Sequence, residues 1–357
     1  MTTINYSCWI SNPQGERFAL LSDMISLSCN RVVNNVGALE VVLPKSTKYS
    51  WQDFEKDCII EVWRNESLLM DTIWFVQSIK RQLSESGEYL ISLTAKDANY
   101  LLETRIIDAY AGSDGATKSG YADDLMKTYV NEQMVNPVNT SRIFSTVSIQ
   151  SNSSAAPIIK HSGAWKTLIS VLRDISDSVQ TRGTYLAYDM VARNTSSIEF
   201  RTYINQRGRP ETSTPIVSPE QGNISSITRT IDYTDSMTNI IVAGQGEGVD
   251  RVVVRMHGSD AVSGPYSWTE IFKDGRGSND VLSLVNEGYA SLFAKTGKKS
   301  FEGEIINSDS FQFGRDFNFG DKLRIFFDGE VIIGRLDTIR VDISKDGERI
   351  SARIRDE

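Results

Sequence analysis

Short stretches rich in β-branched and aromatic residues dominate the chain and predict a mainly β protein. In its first third they cover residues 38–44, 58–63, 72–79 and 89–95, with turn-forming residues between them. Further strands are predicted over residues 184–191, 197–204, 223–232, 239–244 and 251–256, and over 321–327, 331–343 and 348–355 at the end. The fold class expected is therefore mainly β with a few helices, an α+β arrangement.

Apolar residues at helical spacing predict the helices. The clearest stripe follows Ser162, a candidate N-cap, and consists of Trp165, Leu168, Ile169, Leu172, Ile175 and Val179. Other helices are expected near residues 121–134 and over 280–295, with a short one within 96–105. Residues 147–157 are rich in Ser and Asn and predict an irregular link.

Two distant stretches share one plan. Residues 54–63 and 317–327 each contain an aromatic residue, a turn and a strand, and a long second strand follows each one. Similar hairpin sequences then occur at residues 84–88 and 344–348. Two interpretations stay open: β-meanders that share turn residues by chance, or two copies of one β-barrel module, since a repeat at this separation indicates duplicated domains.

Composition excludes several classes of protein. The 357 residues allow two to four lobes, and a hydrophobic content of 40% is ordinary for a globular chain. A formal net charge of −8 argues against a dedicated nucleic-acid binder, which needs clustered Lys and Arg. The N-terminus lacks a secretory pattern and no apolar run is long enough to span a bilayer, so we expect a soluble protein made in a cytoplasm.

Candidate chemical groups are sparse, so no catalytic, cofactor or metal site is predicted and the chain is not expected to be an enzyme. The two histidines, His161 and His257, are far apart and both are expected at the surface. Cys8, Cys29 and Cys58 form no metal-binding spacing and are expected to be buried. The carboxylate pairs Asp123/Asp124 and Asp174/Asp177 are expected on solvated helix faces, although a carbohydrate cleft built from distant residues stays possible.

A glycine run at residues 244–248 resembles a phosphate-binding loop but lacks two of its requirements. A dinucleotide fingerprint needs Gly-x-Gly-x-x-Gly at the start of a helix. Here Gly248 comes one position early, and residues 251–254 continue as strand. Glycines at alternate positions instead suit a turn that needs positive φ or a close approach by another backbone. Gly244, Gly246, Glu247 and Gly248 are therefore candidates for a structural turn or an interface.

The order of several pieces between residues 165 and 256 carries a family resemblance. They are Leu172-Arg173-Asp174-Ile175, residues 185–189 and 199–203, Ser218-Pro219-Glu220-Gln221-Gly222-Asn223-Ile224, and the glycine run with Asp250-Arg251. In this order the chain resembles the tail hub family of long-tailed siphophages, called baseplate hub or minor tail proteins. That family is similar to the hub of contractile-tail baseplates.

The resemblance implies two tail-tube-like β-barrel domains with smaller α/β insert domains. We expect a barrel over residues 1–105, a helix-containing insert over 106–160, an α/β domain over 161–235, and a second barrel over 236–357 with helix 280–295. Whether the tail contracts, and what residues 106–160 do, the sequence leaves open.

The resemblance also implies an assembly. Three copies would form a pseudo-sixfold ring in the virion tail, assembled in the bacterial host cytoplasm, between the tail tube or distal tail protein and the tip, fibre or spike proteins. DNA would pass through without specific binding, and an acidic channel wall would repel it.

A carbohydrate-active or receptor-binding tail protein is the alternative. It would use surface carboxylates and a sugar platform of exposed aromatic residues, for which Trp9, Tyr266 and Trp268 are the candidates.

Overall fold

The computed structural model describes residues 5–356 apart from 46–48, 84, 86, 109–115, 181, 259–263, 265, 278–279, 307 and 309. Parts of the first predicted hairpin (84 and 86) and of the predicted insert (109–115) thus lie outside the described residues. The mainly β prediction is confirmed.

The strands follow in chain order. The first half of the chain contains β1 (Tyr6–Ser11), β2 (Arg17–Leu20), β3 (Ser26–Val32), β4 (Ala38–Pro44), β5 (Ile59–Arg64), β6 (Ser67–Leu68), β7 (Trp74–Leu83), β8 (Tyr89–Asp97), β9 (Thr117–Tyr121), β10 (Val147–Ile149) and β11 (Ile158–Ser162). The second half contains β12 (Leu186–Asn194), β13 (Ser197–Ile204), β14 (Ile216–Val217), β15 (Ile224–Asp232), β16 (Asn239–Ala243), β17 (Val253–His257), β18 (Glu270–Asp274), β19 (Lys298–Ile305), β20 (Lys322–Phe327), β21 (Glu330–Ser344) and β22 (Gly347–Asp356). The α-helices are α1 (Tyr100–Glu103), α2 (Ala122–Val130), α3 (Leu168–Gln180) and α4 (Val281–Ala294).

One large sheet joins both ends of the chain. Fourteen strands belong to it, and its main order is β15-β19-β22-β21-β3-β4-β8-β7-β5-β1-β2. The seam between the two ends is the antiparallel pair β3–β21, which runs from Ser26 opposite Ser344 to Val32 opposite Thr338. The largest hydrophobic core draws on strands from both sides of this seam, so the two ends are packed as one unit.

The repeated stretches have the same strand geometry. In β7 the pairing with β8 shifts just after Val76, and in β21 the pairing with β22 shifts just after Leu336. A residue with positive φ precedes each long strand and binds the residue at which the pairing shifts. Asp57 (φ of 66°) donates its N–H to the Val76 carbonyl at 2.9 Å, and Gly320 (φ of 85°) donates its N–H to the Leu336 carbonyl at 3.1 Å. A shared bulge and a shared left-handed position favour duplication over chance. We call β1–β8 the N-terminal module, and β15 with β19–β22 the C-terminal module.

Neither module closes into a barrel within the chain. In the described residues the strand order has two ends, β15 and β2, and is not circular. The barrel part of the fold prediction therefore stays a prediction for the assembled protein.

A second core contains most of the middle of the chain. It packs α2 and α3 against the sheet β10-β13-β12, and it extends to α1 and to Ile73 and Phe75 of the N-terminal module. The link predicted as irregular contains a short strand, β10, in which Val147 lies opposite Ile198 in parallel. That pairing is long-range, so local composition does not reveal it.

A third, smaller core lies between α4 and the three-stranded sheet β17-β16-β18. This sheet has no strand pairing with the large sheet in the part of the chain that the structure describes. Ile240, Val242 and Met256 face Leu284 and Leu292 of the helix. The glycine run at the end of β16 therefore belongs to this small sheet, and the second barrel expected over residues 236–357 stays a prediction.

One predicted helix begins later than its apolar stripe suggests. Trp165 was expected on the buried face, but it precedes α3, has a φ of 64° and is 68% exposed. Its N–H donates to the Ile107 carbonyl at 2.9 Å, which holds the loop in front of the helix. The helical periodicity thus included one residue of the preceding loop.

Candidate functional site

One face of the large sheet is polar and uncovered. Side chains alternate between faces along each strand, so every second residue points away from the main core. We call this surface the polar face; its members, all exposed or half-buried, include Ser26, Ser28, Asn30, Glu40, Ser78, Lys80, Gln82, Thr94, Thr338, Arg340 and Asp342. Lys80 and Arg340 lie among Glu40 and Asp342, so the face has charges of both signs; the acidic channel wall stays a prediction for the assembled protein.

A buried ionic cluster lies where the two modules meet the middle of the chain. Arg31 of β3 is fully buried, and its guanidinium reaches Asp97 at 3.1 Å, the Met70 carbonyl at 2.7 Å and Asp189 of β12. Asp189 also accepts a hydrogen bond from Arg207. We call Arg31, Asp97, Asp189 and Arg207 the junction cluster.

An aromatic ring completes the junction cluster. Phe319 lies between the two guanidiniums, with the carbon of Arg207 4.2 Å and that of Arg31 5.1 Å from the ring centroid. Arg207 also donates to the Phe319 carbonyl at 2.7 Å. These contacts join residues that are distant in sequence into one group that is shielded from water. Buried ion pairs of this kind stabilise a protein only when each charged group has a partner.

Burial and neighbouring charges move the pKa values of the two carboxyl groups in opposite directions. Burial, and secondarily the charge of Asp189, raises the pKa of Asp97 to about 6 despite Arg31. Burial also acts to raise the pKa of Asp189, but the two guanidiniums outweigh it and leave that pKa lowered. Asp189 therefore remains the charged partner of both arginines, while Asp97 titrates near neutral pH.

The loop after β3 docks beside this cluster through asparagine side chains. Asn34 has a positive φ of 57° and accepts the N–H of Tyr188 at 2.9 Å. Its amide donates to the Ser176 hydroxyl at 2.8 Å. Asn99 connects the same regions, since it donates to the Asn35 carbonyl and accepts the Met190 N–H, both at 2.8 Å. The N-terminal module is thereby fixed to the middle of the chain.

A second buried ion pair joins the two modules. Arg64 of β5 donates to Glu348 of β22 from two nitrogens, at 2.7 and 3.0 Å, and to the Phe313 carbonyl at 2.7 Å. The Tyr6 hydroxyl donates to the same carboxylate, and burial together with Glu348 raises the pKa of Tyr6. The seam therefore has a charged contact as well as its backbone ladder.

The predicted glycine turn connects β16 and β17. Gly244 is buried and donates its N–H to the Val252 carbonyl at 2.7 Å, whereas Gly246, Glu247 and Gly248 are exposed. Gly246 has a φ of +99°, and a Cβ on it would lie 2.5 Å from the Asp250 carbonyl oxygen. Both observations explain a glycine there. The role of these residues in an interface stays a prediction.

Arg251 anchors the glycine turn to the small sheet. Its guanidinium donates to the Gly244 carbonyl at 2.9 Å and the Ala243 carbonyl at 3.0 Å, and it pairs with Asp274 at 2.6 Å. A 3-10 turn over Gly248–Asp250 precedes β17, which begins at Val253 rather than at Arg251 as predicted. The side chain of Arg251 thus holds the turn instead of extending a strand.

The aromatic candidates for a sugar platform do not form one surface. Trp9 belongs to the large sheet, where the Arg17 guanidinium carbon lies 5.1 Å from its ring centroid. Trp268 lies next to β18 and packs edge-on against His257 at 5.5 Å. Tyr266 is 92% exposed nearby in sequence. Trp9 thus lies in the large sheet, whereas Tyr266 and Trp268 lie in the loop before β18.

Two expectations about surface polar residues were wrong. His161 is buried beneath Tyr129, and burial lowers its pKa to about 4. Asp123 is also buried, because it accepts the Ser153 hydroxyl at 2.6 Å and the Ala156 N–H at 3.1 Å. His161 was assigned to the surface from its place in a loop before a helix, and Asp123 from its place on a polar helix face. In the structure the Tyr129 ring packs edge-on against His161, and hydrogen bonds from Ser153 and Ala156 hold Asp123 inside. Asp174 stays at the surface with Lys166, and His257 is exposed as expected.

Sequence reasoning missed the junction cluster. A signal existed, because Asp189 has apolar or aromatic residues on both sides within the buried part of β12. Arg31 gives a weaker signal at the end of a strand that was not predicted. Their partners are up to 158 positions away, so the pairing itself was not accessible.

The described residues contain no cluster of His, Cys, Asp and Glu arranged to hold a metal ion. In the same part of the chain no helix is both long and apolar enough to cross a membrane.

The chain matches a known protein family over almost its whole length. A family model described as Siphovirus ReqiPepy6 Gp37-like protein matches residues 7–354. No curated protein matches the chain.

Solved structures of tail proteins have a similar fold. A tail protein from Neisseria meningitidis MC58 aligns with a TM-score of 0.60 and 13% identity, over 99% of this chain and 97% of that one. The 43 kDa tail protein of prophage MuSo2 from Shewanella oneidensis gives 0.60 and 10%, over 99% and 98%. Prophage tail protein gp18 from Listeria monocytogenes EGD-e gives 0.56 and 12%, over 97% and 94%.

Proposed function

Since the chain belongs to the Siphovirus ReqiPepy6 Gp37-like protein family, we propose that it is a structural hub of a phage tail. In this proposal three copies form a pseudo-sixfold ring that joins the tail tube to the tail tip. The ring lines the channel through which DNA leaves, and the chain itself carries out no chemistry.

The duplicated module supports this proposal most strongly. Two modules with the same bulge and the same left-handed position lie side by side in one sheet. Three such chains present six similar modules, which is the number needed to match a sixfold tube with a threefold hub. A monomeric enzyme has no need of this arrangement.

The polar face suits the wall of a conduit. It contains hydroxyl and amide side chains with charges of both signs, among them Lys80, Glu40 and Arg340. Arg349 and Arg353 of β22 lie on the same face as Arg340 of β21. A wall that retains DNA only weakly must displace few counterions, so in this proposal Glu40 and Asp342 offset these arginines. We therefore propose that the mixed charges of the polar face, rather than an excess of acidic residues, keep the channel wall from binding DNA.

The proposed neighbours follow from the position of the ring. A tail tube or distal tail protein would contact one rim, and tip, fibre or spike proteins the other. The small sheet β17-β16-β18, with its glycine turn and the exposed Val249, lies outside the large sheet and is available for such contacts.

Copy number in purified virions tests this function. Quantitative mass spectrometry of tails should give three copies of the chain per particle, whereas tube protein is present as six copies in every ring along the tail. Antibody labelling should place the chain at the junction between tube and tip. Absence from the particle, or one copy per tube subunit along the tail, would overturn the proposal.

A further inference from the structure

An open cleft lies in the middle of the chain and shares no residue with the junction cluster or the polar face. Three segments that are distant in sequence form it: the residues after α1, the 3-10 turn over Thr140–Arg142, and the loop before α3. Its volume is about 390 Å³, which is within the range of small-molecule sites. We call it the arginine cleft; its lining residues are Thr104, Arg105, Ile106, Asp108, Arg142 and Trp165.

Hydrogen bonds to the backbone hold the three segments of the cleft together. The Ile107 N–H donates to the Lys166 carbonyl at 2.9 Å, which joins the residues after α1 to the loop before α3. The Arg142 guanidinium donates to the Ile106 carbonyl at 2.6 Å, which attaches the 3-10 turn. The cleft is therefore part of the folded framework of the middle of the chain.

Arg105 has no carboxylate partner in the part of the chain that the structure describes. Its guanidinium carbon lies 3.9 Å from the centroid of the Phe144 ring. Its acceptors are neutral: the carbonyl and the hydroxyl of Thr104, both at 3.4 Å, and the Arg142 carbonyl at 3.2 Å. Its Nε is buried and has no hydrogen-bond partner among the described residues.

The arginine cleft therefore has an excess of positive charge. Asp108 is the only carboxylate among its lining residues, and it pairs with Arg142 at 3.3 Å. Burial, and secondarily the charge of Arg142, lowers the pKa of Arg105. The buried Arg31 and Arg64 differ, since each binds a carboxylate. A cation that is partly removed from water is normally paired, so the cleft can accept an anion.

Trp165 places an exposed indole in the same cleft. Its side chain is 68% exposed, and its φ of 64° lies in the left-handed region that bulky residues rarely adopt. Such a conformation costs stability and persists only where the surrounding structure holds it, most often at functional sites. An indole offers a large flat apolar surface together with one N–H donor. The loop before α3 thus holds an aromatic surface open to solvent at some cost in stability.

We propose that the arginine cleft binds a phosphate or carboxylate group carried on a sugar, with Arg105 pairing with the anion and the Trp165 indole packing against the sugar ring. A guanidinium matches the oxygens of a phosphate or a carboxylate in bidentate geometry. Asp108 and Thr104 add an acceptor and a hydroxyl for the hydroxyl groups of the sugar. This site goes beyond the hub function, because it gives the tail an affinity for acidic saccharides that the ring does not require.

An acidic peptide is the other class of occupant, and the structure favours it less. A peptide carboxylate would satisfy Arg105, but it gives no reason for an indole that is held open in a left-handed conformation. The cleft is also small and concave, which suits a ring-shaped ligand better than an extended segment.

Calorimetric titration of the purified full-length protein tests the site. The probes are glucose 1-phosphate and glucuronate, with glucose, inorganic phosphate and a short poly-glutamate peptide as comparisons. We expect at least one acidic sugar to bind at least about tenfold more tightly than glucose, inorganic phosphate or the peptide, because only an acidic sugar uses both Arg105 and Trp165. No binding of either acidic sugar at about 10 mM would overturn the proposal.

Three variants assign the binding to the cleft. Arg105→Gln should weaken binding of the acidic sugar at least about tenfold. Trp165→Asn should weaken it as well, leave the weak binding of inorganic phosphate unchanged, and melt no lower than the wild type, because Asn tolerates positive φ. The matched control is Arg193→Gln, which removes the same charge from the exposed end of β12 and should bind like the wild type.

The contrary results are distinct. Tighter binding of the poly-glutamate peptide than of the acidic sugars would assign the cleft to an acidic segment of a neighbouring protein. Equal affinities for inorganic phosphate and the acidic sugars would leave no role for the indole, and an equal loss in Arg193→Gln would show unspecific charge attraction. Each of these overturns the proposal, while the hub function is tested separately by copy number in virions.

Discussion

At the scale of single residues, the junction cluster is the most demanding feature of the chain. Arg31, Asp97 and Asp189 are all within 1% of complete burial, far from where charged side chains normally lie. Each has a partner, and together they connect β3, the end of β8 and β12. The cluster therefore fixes the orientation of the middle of the chain against the large sheet.

Removing Asp189 should destabilise the protein strongly. Asp189→Ala leaves two buried guanidiniums without their shared carboxylate, and we expect the free energy of unfolding to fall by about 3–5 kcal/mol. Asp342→Ala is the control, since Asp342 pairs with Arg340 on the half-exposed polar face, where such pairs contribute about 0–1 kcal/mol. Chemical denaturation of both variants measures the difference, and equal losses would contradict a structural role for the cluster.

Asp97 should give stability a distinctive dependence on pH. Its pKa is raised to about 6 in the folded protein, above about 3.9 in the unfolded chain. Its contribution to stability is therefore complete below about pH 4 and is lost as the pH rises through about 6.

We expect the free energy of unfolding of the wild type, minus that of Asp97→Asn, to fall by about 2–3 kcal/mol between pH 4 and pH 7. The difference between variants is the useful measurement, because His161 has the opposite effect. Its pKa is lowered to about 4, so its contribution is lost as the pH falls from about 6.5. A difference that does not change with pH would show that Asp97 keeps one protonation state.

At the scale of elements, the local sequence pattern predicted the strands and helices whose formation depends on neighbouring residues. The strand over residues 38–44 was predicted to the residue, because alternating apolar side chains lie between turns. Helix α4 begins one residue after its predicted start, where Asp280 caps it by accepting the Ser283 N–H at 2.8 Å. Strands β1 to β3 and β19 were missed, since pairing with distant strands compensates for their polar residues.

The glycine turn was predicted from spacing alone, but its surroundings were not. Residue type indicated a position that needs positive φ, and Gly246 and Gly248 have it. Nothing in the local sequence indicated that β16 pairs in parallel with β18, which forms the separate small sheet.

Gly246→Val should impair this turn. A β-branched residue at a φ of +99° with a backbone oxygen 2.5 Å from its Cβ is expected to cost at least about 1–3 kcal/mol. Gly248→Asn is the matched control, because Asn tolerates its φ of +55° and nothing lies within 4 Å of the added Cβ. Thermal unfolding and particle yield measure both variants; normal particles and unchanged stability of Gly246→Val would remove the reason for glycine there.

At the scale of the whole molecule, the sequence repeat was the most useful signal. Two stretches that looked alike in residues 54–63 and 317–327 belong to modules with the same bulge and register. The recognition of a phage tail protein family from the order of pieces is confirmed by the family match and by the fold. The seam between modules was not predictable, because β3 and β21 are about 300 positions apart.

A cryo-EM reconstruction of the assembled tail tip tests the central claim most directly. We predict three copies of the chain around the axis, six modules in one ring, and the polar face towards the channel. A tip in which the chain forms no ring, or a ring whose channel is lined by another protein, would contradict the account.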